Sequence, residues 1–131
     1  MTSIFDKRNF LIYPQAIFYI IAGFSHWIMP EFYLPLIPDL LPEKEIGNAL
    51  AGMLEVALGV GLLSLHYRKR AATGIILLLL FFVPIHIHFI VNGSCTNSLC
   101  VPEWIGWARL VSVHPLLVWW AWEARHLSDE Q

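Results

Sequence analysis

The sequence predicts an all-α, polytopic membrane protein: one four-transmembrane-helix bundle with both termini and the middle turn on the cytoplasmic side (N-in/C-in). Three observations carry this. The chain is 57% hydrophobic and only 14% charged, it holds four apolar stretches of about 20 residues, and its basic residues are distributed very unevenly between the connecting segments.

A soluble domain carries roughly 25% charged residues, so most of this surface must meet something other than water. The 131 residues leave room for one domain, residues 1–131. A net charge of -2, with no basic patch beyond Arg68, Lys69 and Arg70, excludes nucleic acid as a partner. The two cysteines are too few for a disulfide scaffold or a cysteine zinc site.

A bilayer's hydrocarbon core is about 30 Å thick and a helix rises about 1.5 Å per residue, so a span needs about 20 mainly apolar residues. Four segments qualify, at approximately 10–29, 46–65, 71–91 and 104–122. They are expected to be helices, because a segment surrounded by lipid must satisfy its own backbone hydrogen bonds. The first follows Lys7 and Arg8 as a signal peptide would. Its apolar run is too long for one, contains Gln15 and His26, and ends in Met29-Pro30 without a small-residue cleavage site.

Pro30, Pro35, Pro38 and Pro42 predict an irregular connector after the first helix. His66 to Arg70 reads as a short basic turn, making the second and third helices antiparallel neighbours. Asn92 to Glu103 reads as a polar loop with Gly93, Ser94, Asn97 and Pro102.

Cytoplasmic loops are enriched in Lys and Arg. With the N-terminus, middle turn and C-terminus on one side, that side holds Lys7, Arg8, Arg68, Lys69, Arg70 and Arg125, and the other holds only Lys44. Trp27, Phe32, Tyr33, Trp104 and Trp107 are expected at the outer interface, and Tyr13, Tyr67, Trp119, Trp120 and Trp122 at the inner one.

A charge at the bilayer centre costs at least about 2.5 to 3.5 kcal/mol on insertion scales, so each ionisable group within a span is a functional candidate. Glu55 lies near the middle of the second helix and Arg109 in the outer third of the fourth. On the second helix Asn48, Gly52, Glu55 and Gly59 share a face, as do Gln15, Tyr19, Ala22 and His26 on the first. The third adds His86 and His88, the fourth His114. Counting from the outer ends places His26, His86, His88 and Arg109 within about two turns of the outer surface, with Glu55 roughly one turn deeper. An ion pair between Glu55 and Arg109 is the economical arrangement. It would serve either to fix helix register or to line an outward-opening pocket for a small apolar or amphipathic ligand.

No metal site is expected: His86 and His88 are about 200° apart around their helix and cannot easily reach one ion. His66 and His126 are expected at the interface or in solvent, and His114-Pro115 at a helix irregularity. Cys95 and Cys100 fall in the outer loop, which faces an oxidising space in a bacterial inner membrane. A structural disulfide is expected there, with a redox-active pair or two free thiols as alternatives.

The residues from Gly23 to Pro38 (GFSHWIMPEFYLPLIP), followed by Leu41-Pro42, resemble the first helix and loop of DoxX-like membrane proteins. Gly52 to Leu63 (GMLEVALGVGLL) resembles their second helix, Pro84 to His88 their third and Trp107 to Leu110 their fourth-helix arginine motif. The two-cysteine loop and the second histidine of the third helix depart from that pattern. The resemblance implies a four-helix membrane bundle in a family of diverse use: subunits of thiosulfate:quinone oxidoreductase, accompaniment of methylamine utilisation, and assembly chaperones of membrane receptors.

The first functional expectation is therefore a redox-associated accessory subunit of the bacterial inner membrane. Its polar intramembrane pocket, lined by Glu55, Arg109, His26, His86 and His88, would take a quinone-like or other small ligand. The alternatives are a non-enzymatic assembly partner of a membrane complex and, more weakly, a small-solute transporter working as a homo-oligomer. No flavin or nucleotide motif is present, so electron transfer would need a membrane protein partner, and the chain is not expected to be an enzyme by itself.

Overall fold

The computed structural model describes residues 2–96 and 99–129, the first of them, 2–9, as backbone alone. Helix α1 (Thr2–Ile28) ends where Pro30 prevents continuation, and Pro30 opens a short helix α2 (Pro30–Tyr33). A 3-10 turn at Leu34–Leu36 follows, then α3 (Lys44–Leu63), α4 (Arg68–Val91) and α5 (Glu103–Asp129). The connector expected to be irregular is thus helical in its first half. The long helices also overrun the expected spans: α1 begins at Thr2 rather than near 10, and α5 continues to Asp129. Hydropathy marks the apolar part of a helix, whereas its polar ends continue for as long as the backbone can bond to itself. The side chains of Lys7 and Arg8, and all of Asn97, lie outside the described residues.

The described residues are all-helical apart from one isolated bridge between Cys95 and Cys100. Among the described residues, three helices are long and apolar enough to cross a membrane: α1 over Phe10–Ile28, α3 over Lys44–Leu63 and α4 over Arg68–Val91. Helix α5 has the length, but Arg109, His114, Glu123 and Arg125 dilute its apolar content.

The helices associate as two close pairs, α1 with α3 and α4 with α5. In the first pair, a Cβ added to Gly23 would lie 2.6 Å from the carbonyl oxygen of Gly52, and one added to Gly52 would lie 2.7 Å from that of Gly23. Two glycines facing each other let the backbones approach as no other residue would. The pairs join at the end bearing the α3–α4 turn. There Ile12, Ala16, Leu62, Ala71, Ala72, Ala121 and Ala124 form a tightly packed core, and the Trp120 indole donates to the Leu11 carbonyl at 2.7 Å. Trp120 is therefore a tie between α5 and α1 as well as an aromatic near the helix end.

Arg68, expected as part of a short basic turn, is buried, and its Nε donates to the Leu62 carbonyl at 2.8 Å. It satisfies an orphan acceptor at the end of α3 with a cation suited to that pole of the helix. Lys69 pairs with Asp129, joining the start of α4 to the end of α5.

At the other end α4 terminates in a Schellman motif: Ser94 N–H donates to the Phe89 carbonyl at 3.1 Å and Gly93 N–H to Ile90 at 3.4 Å. Gly93 has a φ of 106°, where a side chain would be strained. The polypeptide then doubles back, Val101 N–H donating to the Ser94 carbonyl at 3.0 Å, and the sulfurs of Cys95 and Cys100 are joined across the turn.

Polarity is inverted relative to a water-soluble domain. Gln15 is fully buried and Glu55 is 7% exposed, whereas Leu77, Leu80 and Phe81 on α4 are 62%, 55% and 63% exposed. Contiguous apolar surface of this kind marks contact with lipid or another protein.

Candidate functional site

The stripe Asn48, Gly52, Glu55 and Gly59 is the buried face of α3, and it meets the buried face of α1 carrying Gln15, Tyr19 and His26. Because the glycines bring these helices together, polar side chains from both reach one another directly. Asn48 clasps His26 twice: its amide Nδ2 donates to the His26 backbone carbonyl at 2.7 Å, and its Oδ1 lies 2.7 Å from His26 Nδ1. The imidazole stacks on Tyr33 with ring centroids 3.8 Å apart, and the Tyr33 hydroxyl bonds to Ser25. The remaining ring nitrogen, Nε2, stands 3.6 Å from Glu55 Oε2.

The expected ion pair between Glu55 and Arg109 does not form; the partner of Glu55 is His26. The reason is helix pairing. Glu55 lies on α3, whose close neighbour is α1, while Arg109 lies on α5, whose close neighbour is α4. A long side chain does not substitute for adjacency of the backbones.

Glu55 and Arg109 nevertheless border the same space. Between the two helix pairs, from mid-bundle toward the disulfide-bearing end, lies a cavity of about 920 Å³. One wall carries Tyr19, His26, Asn48 and Glu55, and the other carries His86, Arg109 and His114. The rest is apolar, including the exposed residues Leu50 and Leu54 on α3 and Leu77 and Phe81 on α4, so the cavity reaches the outer surface between α3 and α4. Its end is lined by residues from the connector and by Ser94 and Val101, which directly flank the disulfide.

His86 lines the cavity with its ring edge toward His114, centroids 5.4 Å apart. His88 does not: it lies at the end of α4 beside Asn92, whose Nδ2 is 3.3 Å from His88 Nδ1. The rotation of about 200° between them separates the two histidines, and His88 leaves the set of candidate site residues. His114, expected only to mark an irregularity, donates from Nε2 to the Leu79 carbonyl at 2.5 Å and so bridges α5 to α4. Among the described residues no group of three or more His, Cys, Asp and Glu has the geometry to hold a metal ion.

Three residues around the polar wall escape a hydropathy reading. Asn48 and Tyr19 are visible in sequence only as members of helical stripes, and Tyr33 resembles any interfacial aromatic. The stripe spacing was the available signal for Asn48; nothing in the sequence marks Tyr33 as the ring stacked on His26.

Residues 15–125, which include every residue named on the cavity walls, match a family model described as a domain of unknown function (DUF8561). The chain belongs to the DUF8561 family. The matched segment runs from within α1 to within α5. No curated protein and no solved structure matches the chain.

Proposed function

We propose that this DUF8561 protein is an integral membrane protein of the DoxX-like type whose helices α1, α3, α4 and α5 all cross the bilayer. In this reading it binds an amphipathic small molecule of the quinone class in the cavity between the helix pairs. Both termini face the cytoplasm of a bacterial cell, and the protein acts as the accessory subunit of a membrane redox complex. Inclusion of α5 is supported by its close pairing with α4 and by tryptophans near both of its ends, which suit the two interfaces. Orientation is supported by the basic bias described above, and the inverted polarity of the surface supports lipid as the solvent.

The observation that carries the binding reading is the His26, Asn48 and Glu55 cluster facing a largely apolar cavity. Cavities of about 300 to 1,000 Å³ with a few convergent polar groups are the usual form of a small-molecule site. Ionisable groups at membrane depth are otherwise costly. The lateral opening between α3 and α4 suits a ligand that arrives from the lipid phase, its polar head at the buried cluster and its tail among Leu54, Leu77 and Phe81. The packed core at the opposite end argues against a through-pathway for solutes.

Native mass spectrometry of gently solubilised protein tests the proposal. An adduct of quinone-like mass is expected, lost in Arg109→Ala, which removes the cation from the rim. Protein free of any small-molecule adduct but held to one stable membrane partner, unaffected by that substitution, would instead favour the assembly role.

A further inference from the structure

The hydrogen bonds around His26 determine which atoms remain for a ligand. Asn48 Nδ2 must donate to the His26 carbonyl, which only accepts, so Asn48 Oδ1 faces the ring. Nδ1 of His26 therefore carries the hydrogen in that bond. Its Nε2 is left facing Glu55 Oε2 at 3.6 Å, too far for a direct hydrogen bond. Glu55 Oε2 is buried with no hydrogen-bond partner among the described residues, and so is the Tyr19 hydroxyl on the same wall. A buried acceptor left without a donor costs about 1 to 3 kcal/mol, more when charged.

A net charge buried at this depth is costly, so the pair is neutral as a whole when it holds one proton beyond that on Nδ1; the gap then presents one donor and one acceptor, whichever group holds that proton. If His26 holds it, Nε2–H donates and the carboxylate accepts; if Glu55 holds it, the roles exchange. A hydroxyl accepts one hydrogen bond and donates another, so it satisfies both atoms together. A carbonyl oxygen only accepts and leaves one of the two unpaired. An oxygen about 2.8 Å from each atom would close a triangle on the 3.6 Å base, and because Glu55 Oε2 has no accessible surface as it stands, the carboxyl must turn toward the cavity to admit it.

We infer that His26 and Glu55 form a hydroxyl-recognising seat, so that the cavity takes the reduced, dihydroxy form of a quinone-class ring in preference to the oxidised, dicarbonyl form. This rests on the binding reading above and adds to it a choice between redox states. It requires no chemical step at the site: the preference is one of binding, set by the donor and acceptor pattern of the two side chains.

The test is equilibrium binding of a short-tailed ubiquinone analogue, supplied oxidised or pre-reduced without oxygen, to the full chain in lipid nanodiscs. Wild-type protein is expected to bind the reduced form about tenfold or more tightly, as suits one additional hydrogen bond to a charged group. Glu55→Gln places an amide donor where the carboxylate stood, so the oxidised form should gain and the ratio should fall toward one. Equal binding of both forms by wild-type protein, or preference for the oxidised one, overturns the inference while leaving the pocket itself standing. Binding of neither form removes the quinone-class reading and the inference with it. The wild-type comparison involves no substitution, so a misfolded variant cannot obscure the result.

Discussion

Nε2 of His26 stands 3.6 Å from Glu55 Oε2, while the other ring nitrogen is held by Asn48. The imidazole is fixed in orientation by a neighbouring amide and a stacked tyrosine before any ligand arrives. Such a clasp keeps a side chain from rotating away to satisfy itself elsewhere, and a buried polar group so held remains available to a visitor.

Asn48→Leu removes both bonds to His26 and leaves the Nδ1 hydrogen buried without an acceptor. The expected loss is about 1 to 3 kcal/mol, read as a lower thermal unfolding midpoint of the detergent-solubilised protein. An unchanged midpoint would show that the clasp contributes nothing to the fold.

Gly52→Val places a branched side chain where a single added Cβ already lies 2.7 Å from the Gly23 carbonyl. Backbone oxygen cannot swing aside, so α1 and α3 must separate. Overpacking of this kind costs about 1 to 3 kcal/mol. Gly47→Ala, where a Cβ meets nothing within 4 Å, is the matched control and should leave the midpoint in place. Similar effects from both substitutions would contradict the close-approach account.

The Cys95–Cys100 loop reports both oxidation state and sidedness. A membrane-impermeant thiol reagent applied to the outer face is expected to label the protein only after reduction. Labelling without reduction would deny the disulfide, and labelling confined to the cytoplasmic face would reverse the proposed orientation. Replacing both cysteines with serine should cost roughly 2 kcal/mol for so short a closed loop, with the helices retained by circular dichroism.

The Lys69–Asp129 pair predicts a pH effect at the free end of α5. A hydrogen bond from Lys69, and then its charge with those of Arg125 and His126, holds the Asp129 carboxyl below its ordinary range. A carboxyl whose value is lowered by folding contributes stability that is fully present above its unfolded value, about 3.9. That contribution disappears as the pH falls through the lower folded value. Amide protection over residues 125–129 should therefore be level at neutral pH and decline below about pH 4. In Asp129→Asn it should be level throughout, and an equal decline in that variant would exclude the pair as its cause. The pair is open to water, so the effect is local and small.

Much of the architecture is legible from residue spacing. Gly52, Glu55 and Gly59 announce a buried face of α3 because small residues at helical intervals allow a neighbour to approach, and the burial of the whole stripe agrees. The separation of His86 from His88 follows from helix rotation alone. The partner of Glu55 was not legible, since depth along each helix suggested Arg109 and depth says nothing of which helices touch. Nor was Arg68, which resembles a loop cation until the end of α3 is seen to present the Leu62 carbonyl to it.

The sequence by itself marked four apolar stretches, three of which form helices long and apolar enough to cross a membrane, and placed polar groups on their small-residue faces. These are properties of single segments, set by composition and by the fixed rise and rotation of a helix. Only the tertiary structure decided that Glu55 meets His26, that Asn48 orients the ring, and that a cavity separates them from Arg109. Those relations depend on which helices pair and how closely, and the facing glycines at 23 and 52 set that approach through contacts between residues far apart in the chain.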